Sequence, residues 1–328
     1  MEKQGKTYNL INSVKGGCGK TTFSIWLAYY LSKRNSGNES GKSAIIDMDL
    51  LGTSMLALFF GSNTWEAAKK ELGDKKLINE VFRNSESTES YLKEVNFKGF
   101  INLNVIFASI NFKDKMKFKV GGHSNYSPII KYSTFRSGLK KLLKQNAELK
   151  PIKHIIMDMP PNSDGFSEAA MECVFNKHYQ VTEFSDKKNL FFMVGPDYGH
   201  TIATINELEE IISKKDEGFP DKIFIVFNNN LCSEVSEVIL QQRMGEFRNN
   251  LIGLSEDERD SIYFFIMNRN EKFAQAVFNA SGLKNLSPDE WIEIFPECPV
   301  GKYAPFDNHV FKTITNDEFL NLLCPEEK

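Results

Sequence analysis

The sequence predicts an α/β protein with a mostly parallel, twisted sheet and helices on both faces. Its first part alternates a strand, a glycine-rich turn, a helix and a second strand, at Thr7–Val14, Lys15–Thr22, Thr22–Lys33 and Ser43–Ile46. A helix between two strands carries the chain back along the sheet, so the two strands of such a unit are parallel and their crossover is right-handed. Further apolar runs, separated by helical patterns, predict that the same sheet continues along the chain.

Four later apolar runs have the length and composition of buried parallel strands. They are Asn102–Phe107, His154–Met157, Leu190–Val194 and Lys222–Phe227. Apolar residues at helical spacing predict helices at Phe135–Lys144 and Thr201–Lys214, whereas the polar stretch 112–132 reads as irregular chain. We expect a single domain over residues 1–328, with a divergent and mostly helical extension at about 229–293.

The composition is that of an ordinary globular protein with a sizeable core. Hydrophobic residues make up 41% of the chain and charged residues 25%, and the formal net charge is −3. This balance argues against a surface coated in nucleic-acid-binding charge. No apolar run approaches the roughly 20 residues that span a bilayer, and the polar N-terminus has no signal-peptide pattern. These observations predict a cytoplasmic protein.

The five cysteines are scattered and form no CxxC pair. They are Cys18, Cys173, Cys232, Cys298 and Cys324. Such spacing predicts neither a disulfide framework nor a zinc or iron–sulfur site, and it is typical of a reducing compartment.

The glycine-rich turn has the chemistry of a phosphate-binding loop. It reads KGGCGKTT over Lys15–Thr22, with Val14 where the strict GxxxxGK[ST] pattern has its first glycine. Glycines let backbone N–H groups converge on phosphate oxygens, and the following helix offers its positive end to them. Lys20 would reach the β- and γ-phosphates, and the Thr21 hydroxyl would bind Mg²⁺. A turn with solvated lysines is disfavoured, because the motif lies between a predicted strand and a predicted helix.

This loop resembles the deviant P-loop of the ParA/MinD family of ATPases, whose pattern is KGGxGKTT. The resemblance implies a P-loop NTPase-type fold, ATP and Mg²⁺ as cofactors, and a homodimer that forms on ATP binding. Lys15 would be the signature lysine that reaches across the dimer to the partner's nucleotide, as an arginine finger does. The implied ATP-binding set is Gly16, Gly17, Cys18, Gly19, Lys20, Thr21 and Thr22.

Aspartates follow two of the predicted strands, where an open α/β sheet gathers its ligand site. Asp47 and Asp49 resemble the family's DxD segment, and Asp158 ends a strand that resembles Walker B. The resemblance implies that Asp49 positions the hydrolytic water, that Asp47 supports Mg²⁺ or its waters, and that Asp158 holds a Mg²⁺-bound water. A lone aspartate at a strand end is usually a polar cap. Two such strands after a phosphate-binding loop favour the metal site.

The resemblance is firm over residues 7–60 and 150–170, and it becomes thinner up to about residue 230. Asn228 resembles the asparagine that contacts the base, although a simple turn explains the run Asn228–Asn230 nearly as well. After Asp49 the sequence LLGTS replaces the Pro-Gln of typical ParA members, which leaves the subgroup open.

Two lysine clusters could contact a DNA backbone without reading its sequence. The first comprises Lys113, Lys115, Lys117 and Lys119, and the second comprises Lys140, Lys141, Lys144, Lys150 and Lys153. A solvated face explains each of them as an alternative. The C-terminal residues 316–328 have a small apolar face but are dominated by acids, which predicts no attachment to an anionic membrane.

The predicted function is that of an ATP-switched ATPase of ParA type, with slow, partner-stimulated hydrolysis. It would bind non-specific DNA and a stimulating protein, and so position DNA or another cargo. One alternative is a switch that acts on a protein partner without DNA. A metallocluster carrier of Mrp type is disfavoured by the missing CxxC, and a ligase such as dethiobiotin synthetase is disfavoured by Lys15.

Overall fold

A computed structural model of the chain shows ten strands in one sheet within the residues that it describes. The residues that it describes are 5–34, 42–50, 55–61, 65–81, 91–96, 102–108, 128–161, 165–195, 197–228, 236–267, 283, 286–287, 289–290, 301–308 and 310–324.

The centre of the sheet is parallel and its edges are antiparallel. The strands are β1 Thr7–Asn12, β2 Ser43–Asp47, β3 Lys93–Asn96, β4 Asn102–Ile106, β5 His154–Asp158, β6 Lys187–Val194, β7 Lys222–Asn228, β8 Ile262–Met267, β9 Gly301–Pro305 and β10 Lys312–Ile314. Their order is β10-β9-β8-β7-β6-β1-β5-β2-β4-β3. All neighbours from β8 to β4 in this order are parallel, whereas β9, β10 and β3 pair antiparallel. The predicted mostly parallel sheet is confirmed.

Helices cover both faces of this sheet. They are α1 Lys20–Arg34, α2 Met55–Phe60, α3 Trp65–Leu72, α4 Ile78–Val81, α5 Pro128–Gln145, α6 Gly165–Phe175, α7 Tyr198–Ser213, α8 Glu237–Asn250, α9 Glu256–Asp260 and α10 Asn316–Leu323. Because side chains alternate along a strand, Leu10 of β1 joins a core with α5, α6, α7 and α8. Its neighbour Ile11 joins a second core with α1, α2 and α10.

The predicted elements of the parallel centre are confirmed, with shifted boundaries. The largest shift is in α5, which begins at Pro128 rather than Phe135, so residues 128–132 are helical and not irregular. Proline suits the first turn of a helix, because its fixed φ is helical and the N–H that it lacks has no intrahelical partner there. The lysine cluster Lys113–Lys119 lies outside the described residues.

Sequence patterns did not predict strand β8 or the antiparallel strands at the edges of the sheet. Strand β8 lies inside the segment 229–293, which we predicted to be mostly helical, and α8 and α9 precede it. Strands β9 and β10 are short and antiparallel, so they lack the long apolar run of a buried parallel strand. The assignment of the whole chain to a single domain stays a prediction.

The apolar face of the C-terminal helix α10 packs into the core. Phe319, Leu320 and Leu323 are buried, and the Phe319 ring lies 5.5 Å from the ring of Trp26 on α1. Among the described residues, no helix combines the length and apolar character that crossing a membrane requires.

Candidate functional site

The glycine-rich loop joins β1 to α1, and two of its glycines have backbone conformations that favour glycine. Gly17 has a φ of 78° and Gly19 a φ of 85°. A Cβ atom on Gly19 would lie 2.1 Å from Nδ2 of Asn228, which is too close for any side chain. On Gly16, a Cβ atom would lie 4.0 Å from the ring of Pro161. The loop therefore keeps a bare backbone at the carboxyl end of β1, where N–H groups can face an anion.

Lys20 begins α1 and is buried behind the loop. Its side chain is 7% exposed, and its Nζ donates a hydrogen bond of 3.0 Å to Oγ of Ser13. The Ser13 hydroxyl in turn donates to the carbonyl oxygen of Lys15 at 2.7 Å. A buried ammonium whose hydrogen-bond partner is a neutral hydroxyl favours an anion at the mouth of the loop.

Asp158, at the end of β5, accepts hydrogen bonds from two hydroxyl groups of α1. Oγ1 of Thr21 donates to its Oδ2 at 2.7 Å, and Oγ of Ser24 donates to its Oδ1 at 3.2 Å. Burial raises the pKa of Asp158 from its ordinary 3.8 to about 6, against the lowering effects of the Thr21 hydrogen bond and the Lys20 charge. The structure therefore brings together Lys20, Thr21 and Asp158.

Asp47, at the end of β2, is held by backbone amides instead. Its Oδ1 accepts from the N–H of Asp49 at 3.2 Å, and its Oδ2 accepts from the N–H groups of Met55 at 3.2 Å and Ala108 at 3.3 Å. Burial, with the nearby charges of Asp158 and Asp49, holds the pKa of Asp47 well above its ordinary value. Asp47 thus holds together the segment just after β2, the segment just after β4 and the start of α2.

Asp49 lies two residues after Asp47, the last residue of β2, and it is partly exposed. Its charge raises the pKa of both Asp47 and Asp158, so the three carboxylates lie within electrostatic reach of one another. This places the residue predicted to position water near the pair predicted to serve Mg²⁺.

Asn228 and Cys18 meet at the loop. Nδ2 of Asn228, at the end of β7, donates 3.0 Å to the carbonyl oxygen of Cys18. The buried Cys18 thiol lies 3.5 Å from Nδ1 of His200, and burial raises the pKa of this thiol. Asn228 therefore supports the glycine-rich loop directly, whereas its predicted contact with a base stays a prediction.

Lys15 is exposed and points towards the first turn of α7. A Cβ atom on Gly199 would lie 3.4 Å from its Nζ. The Lys15 charge helps to lower the pKa of the exposed Asp197, although the main cause is the N–H of Gly199. Gly16, Gly17 and Lys15 form the open rim of the loop, and Thr22 follows it on α1.

Sequence patterns missed several polar residues whose hydrogen bonds support the glycine-rich loop or the side chains beside it. Ser13 receives Lys20, Ser24 binds Asp158, and Asn12 donates 2.7 Å to Oε1 of Glu207 on α7. Ser24 stands three positions after Thr21, a spacing that places both hydroxyls on one helix face and could have identified it. Glu207 gives no such signal, because its partner lies 195 positions away in sequence.

The oxygen atoms of Thr21 and Asp158 fit a magnesium ion. Mg²⁺ prefers oxygen ligands and keeps several waters and substrate phosphates, so it needs few protein ligands. A hydroxyl and a carboxylate 2.7 Å apart beside the glycine-rich loop meet that need. In the part of the chain that the structure describes, no group of three or more His, Cys, Asp or Glu side chains could hold a metal by itself.

Solved structures of ParA and MinD ATPases have the same fold. A ParA family ATPase from Chlorobium tepidum TLS matches with a TM-score of 0.54 at 13% identity, over 89% of this chain and 96% of that one. The cell division ATPase MinD of Pyrococcus furiosus matches at 0.51 and 15% identity, over 89% and 96%. The ATP complex of McdA from Cyanothece matches at 0.51 and 15%, over 89% and 95%.

No protein-family model matches the chain, and no curated protein matches it significantly. The similarity to ParA and MinD ATPases is therefore confirmed at the level of the fold.

Proposed function

We propose that the chain is an ATP-dependent switch of ParA type, which dimerises on ATP binding and hydrolyses ATP to ADP and phosphate. Its cycle would position DNA or another cargo and would be stimulated by a protein partner in the cytoplasm. The observation that carries this proposal is the meeting of Lys20, Thr21 and Asp158 directly behind a bare glycine loop. The fold of the ParA and MinD structures supports it.

In this proposal the loop binds the triphosphate of ATP. The N–H groups of Gly16 to Thr22 and the positive end of α1 face the phosphate oxygens, and Lys20 neutralises their charge. Thr21 and Asp158 would hold Mg²⁺ and its waters, and the ion supplies electrostatic stabilisation of the transferring phosphoryl group. Asp47 keeps the carboxyl end of β2 in place beside them, through its three backbone contacts.

Hydrolysis depends on Asp49 and on a second protomer. The partly exposed Asp49 would orient the attacking water. Lys15 lies on the open rim of the loop, where it can leave its position over α7 and reach a facing nucleotide. A positive charge supplied from the partner stabilises charge that develops on the phosphates. ATP would therefore close the dimer, and hydrolysis would open it.

The test is light scattering coupled to size exclusion on Asp49→Ala protein with ATP and with ADP. This substitution removes the proposed water-positioning group but keeps the backbone N–H that donates to Asp47. We expect a dimer with ATP and a monomer with ADP. A monomer in both, with ATP binding confirmed by fluorescence, would contradict the switch.

Two additions to the same experiment test whether the cargo is DNA and whether Lys15 is needed for dimerisation. DNA added to the ATP sample should shift the dimer to a larger complex, whereas a dimer that ignores DNA indicates a protein cargo. Lys15→Ala should bind ATP and remain monomeric. Lys70→Ala, which removes an exposed lysine of α3, is the matched control and should still dimerise.

A further inference from the structure

A pocket of about 220 Å³ lies between α6 and α7, and the turn after α7 closes one end of it. Its floor is apolar and comprises Met171, Phe175, Ile211 and Pro220. Phe175 is 6% exposed, so this floor belongs to the packed core rather than to a mobile surface. We call this pocket and its rim the α6/α7 groove.

The rim of the α6/α7 groove is acidic. Of the side chains that line it, five are carboxylates, Glu168, Glu172, Glu207, Glu210 and Glu217, and one is a cation, Lys214. Arg136 pairs with Glu172 at 2.7 Å from outside the groove. An excess of carboxylates around an apolar floor disfavours nucleic acid, whose phosphates are repelled, and favours a cation on an apolar support.

The chain's own lysine shows where such a cation fits. Nζ of Lys214 lies 2.7 Å from Oε1 of Glu210 on α7 and 3.8 Å from Oε1 of Glu168 on α6, so it bridges the two helices. Lys214 is 49% exposed, and exposed ion pairs are weak. A guanidinium or ammonium from another molecule can therefore replace this one without breaking a buried contact.

One carboxylate that lines the groove, the buried Glu207, is connected to the phosphate loop by hydrogen bonds. Oε1 of Glu207 accepts from Nδ2 of Asn12 at 2.7 Å, and Oδ1 of Asn12 accepts from the N–H of Ser13 at 2.9 Å. The Ser13 hydroxyl accepts from Nζ of Lys20 at 3.0 Å and donates to the Lys15 carbonyl. A displacement of Glu207 therefore acts on Ser13, which supports both lysines of the loop.

We propose that the α6/α7 groove docks a segment of a partner protein that presents arginine or lysine beside apolar side chains. The apolar side chains cover the floor, the cation joins Glu168 and Glu210, and Glu207 transmits occupancy to the phosphate loop. Docking itself is independent of the proposed function, whereas its effect on nucleotide rests on that function.

Docking is tested with a fluorescein-labelled synthetic helical peptide of arginine and leucine, measured by fluorescence anisotropy without nucleotide. Wild-type protein should bind this peptide and should not bind the same peptide with glutamate in place of arginine. Glu210→Lys should weaken binding about tenfold, because it replaces an attractive charge by a repulsive one. Glu209→Lys is the matched control, since Glu209 is the exposed neighbour on α7 that does not line the groove.

Equal weakening by Glu209→Lys and Glu210→Lys would overturn the docking site and indicate attraction by net charge alone. Binding of the glutamate peptide would overturn it as well. Because neither measurement contains nucleotide, a failure of docking remains distinguishable from a failure to bind ATP.

Coupling is tested by titrating a fluorescent ATP analogue with and without the arginine peptide. The peptide should change the nucleotide affinity of wild-type protein by at least about fivefold. Glu207→Leu should remove this response, and Glu207→Gln, which keeps an oxygen acceptor for Asn12, should restore part of it. An unchanged nucleotide affinity in wild-type protein that binds the peptide would overturn the connection through Glu207.

Discussion

The carboxyl ends of β2 and β5 carry aspartates that are equivalent in register but differ in their hydrogen-bond donors. Asp47 and Asp158 are paired across the two strands, and each is 1% exposed. Asp47 accepts from three backbone N–H groups, at Asp49, Met55 and Ala108. Asp158 accepts from two side-chain hydroxyls.

This difference predicts that Asp47 is a structural carboxylate, whereas Asp158 can exchange its partners. A backbone N–H has a fixed position, so a carboxylate that leaves it exposes an unsatisfied buried donor. A hydroxyl rotates and can serve as acceptor as well as donor, so the Thr21 oxygen and Asp158 can both turn to a metal ion. We therefore expect the β2 end to govern stability and the β5 end to govern chemistry.

The largest effect should come from removing the acceptor at the β2 end. Asp47→Ala leaves three backbone N–H groups without that acceptor, which should lower the free energy of unfolding by roughly 3 to 5 kcal/mol. Urea denaturation followed by circular dichroism measures this loss. Asp47→Asn keeps one acceptor oxygen and removes a buried charge, but its NH2 group replaces the other acceptor, so its loss should be smaller than that of Asp47→Ala without vanishing. Equal losses for the two variants would contradict a role through the acceptor oxygens.

At the β5 end, the amide variant Asp158→Asn should gain stability in the absence of nucleotide. The folded-state pKa of Asp158, about 6, lies above its ordinary 3.8, so folding favours the protonated carboxyl. Stability therefore falls as the pH rises from about 4 to 6, and the ionised group costs about 3 kcal/mol above that range. Asp158→Asn carries no charge, so it should be more stable than wild type by up to this amount at pH 7.5.

The pH dependence is the control for this prediction. At pH 4, close to the ordinary pKa of 3.8, the wild-type carboxyl is protonated in the folded state and about half protonated in the unfolded state, so most of the advantage of Asp158→Asn should be lost there. Denaturation of both proteins at pH 7.5 and at pH 4 measures the difference. A stabilisation that is the same at both values would mean that the charge of Asp158 is not its cause.

The sequence predicted the position of both aspartates but not their different hydrogen-bond donors. Each ends an apolar run, and that local pattern suffices to place it at the carboxyl edge of a parallel sheet. Two of the three donors of Asp47 lie at the start of α2 and just after β4, up to 61 positions away, and no spacing rule connects them to it. The same limit explains why Glu207 was missed, because its partner Asn12 lies 195 positions away. Thr21 was found because its place in the KGGCGKTT motif identifies it without reference to Asp158, its hydrogen-bond partner 137 positions away.

A smaller effect should separate the two hydroxyls that serve Asp158. Thr21→Val keeps the shape of the side chain and removes the oxygen proposed to bind Mg²⁺. The factor by which Mg²⁺ increases ATP affinity should therefore be at least about tenfold smaller in this variant than in wild type. Ser24→Ala removes the other hydroxyl donor and should leave that dependence nearly unchanged. Titration of a fluorescent ATP analogue at several Mg²⁺ concentrations measures both. Equal effects would mean that the two hydroxyls act only by holding Asp158.

The smallest effect concerns Asn228 at the end of β7, where the same distinction between structural support and ligand contact applies. Its Nδ2 donates to the Cys18 carbonyl, so Asn228→Ala should weaken the loop by about 1 kcal/mol and nucleotide affinity about fivefold. If support of the loop is its whole role, ATP and GTP should lose affinity equally, because both have the same phosphates. If Asn228 also contacts the base, as its resemblance implies, ATP should lose more than GTP. Competition of ATP and GTP for the variant therefore decides whether Asn228 behaves like Asp47 or like Asp158.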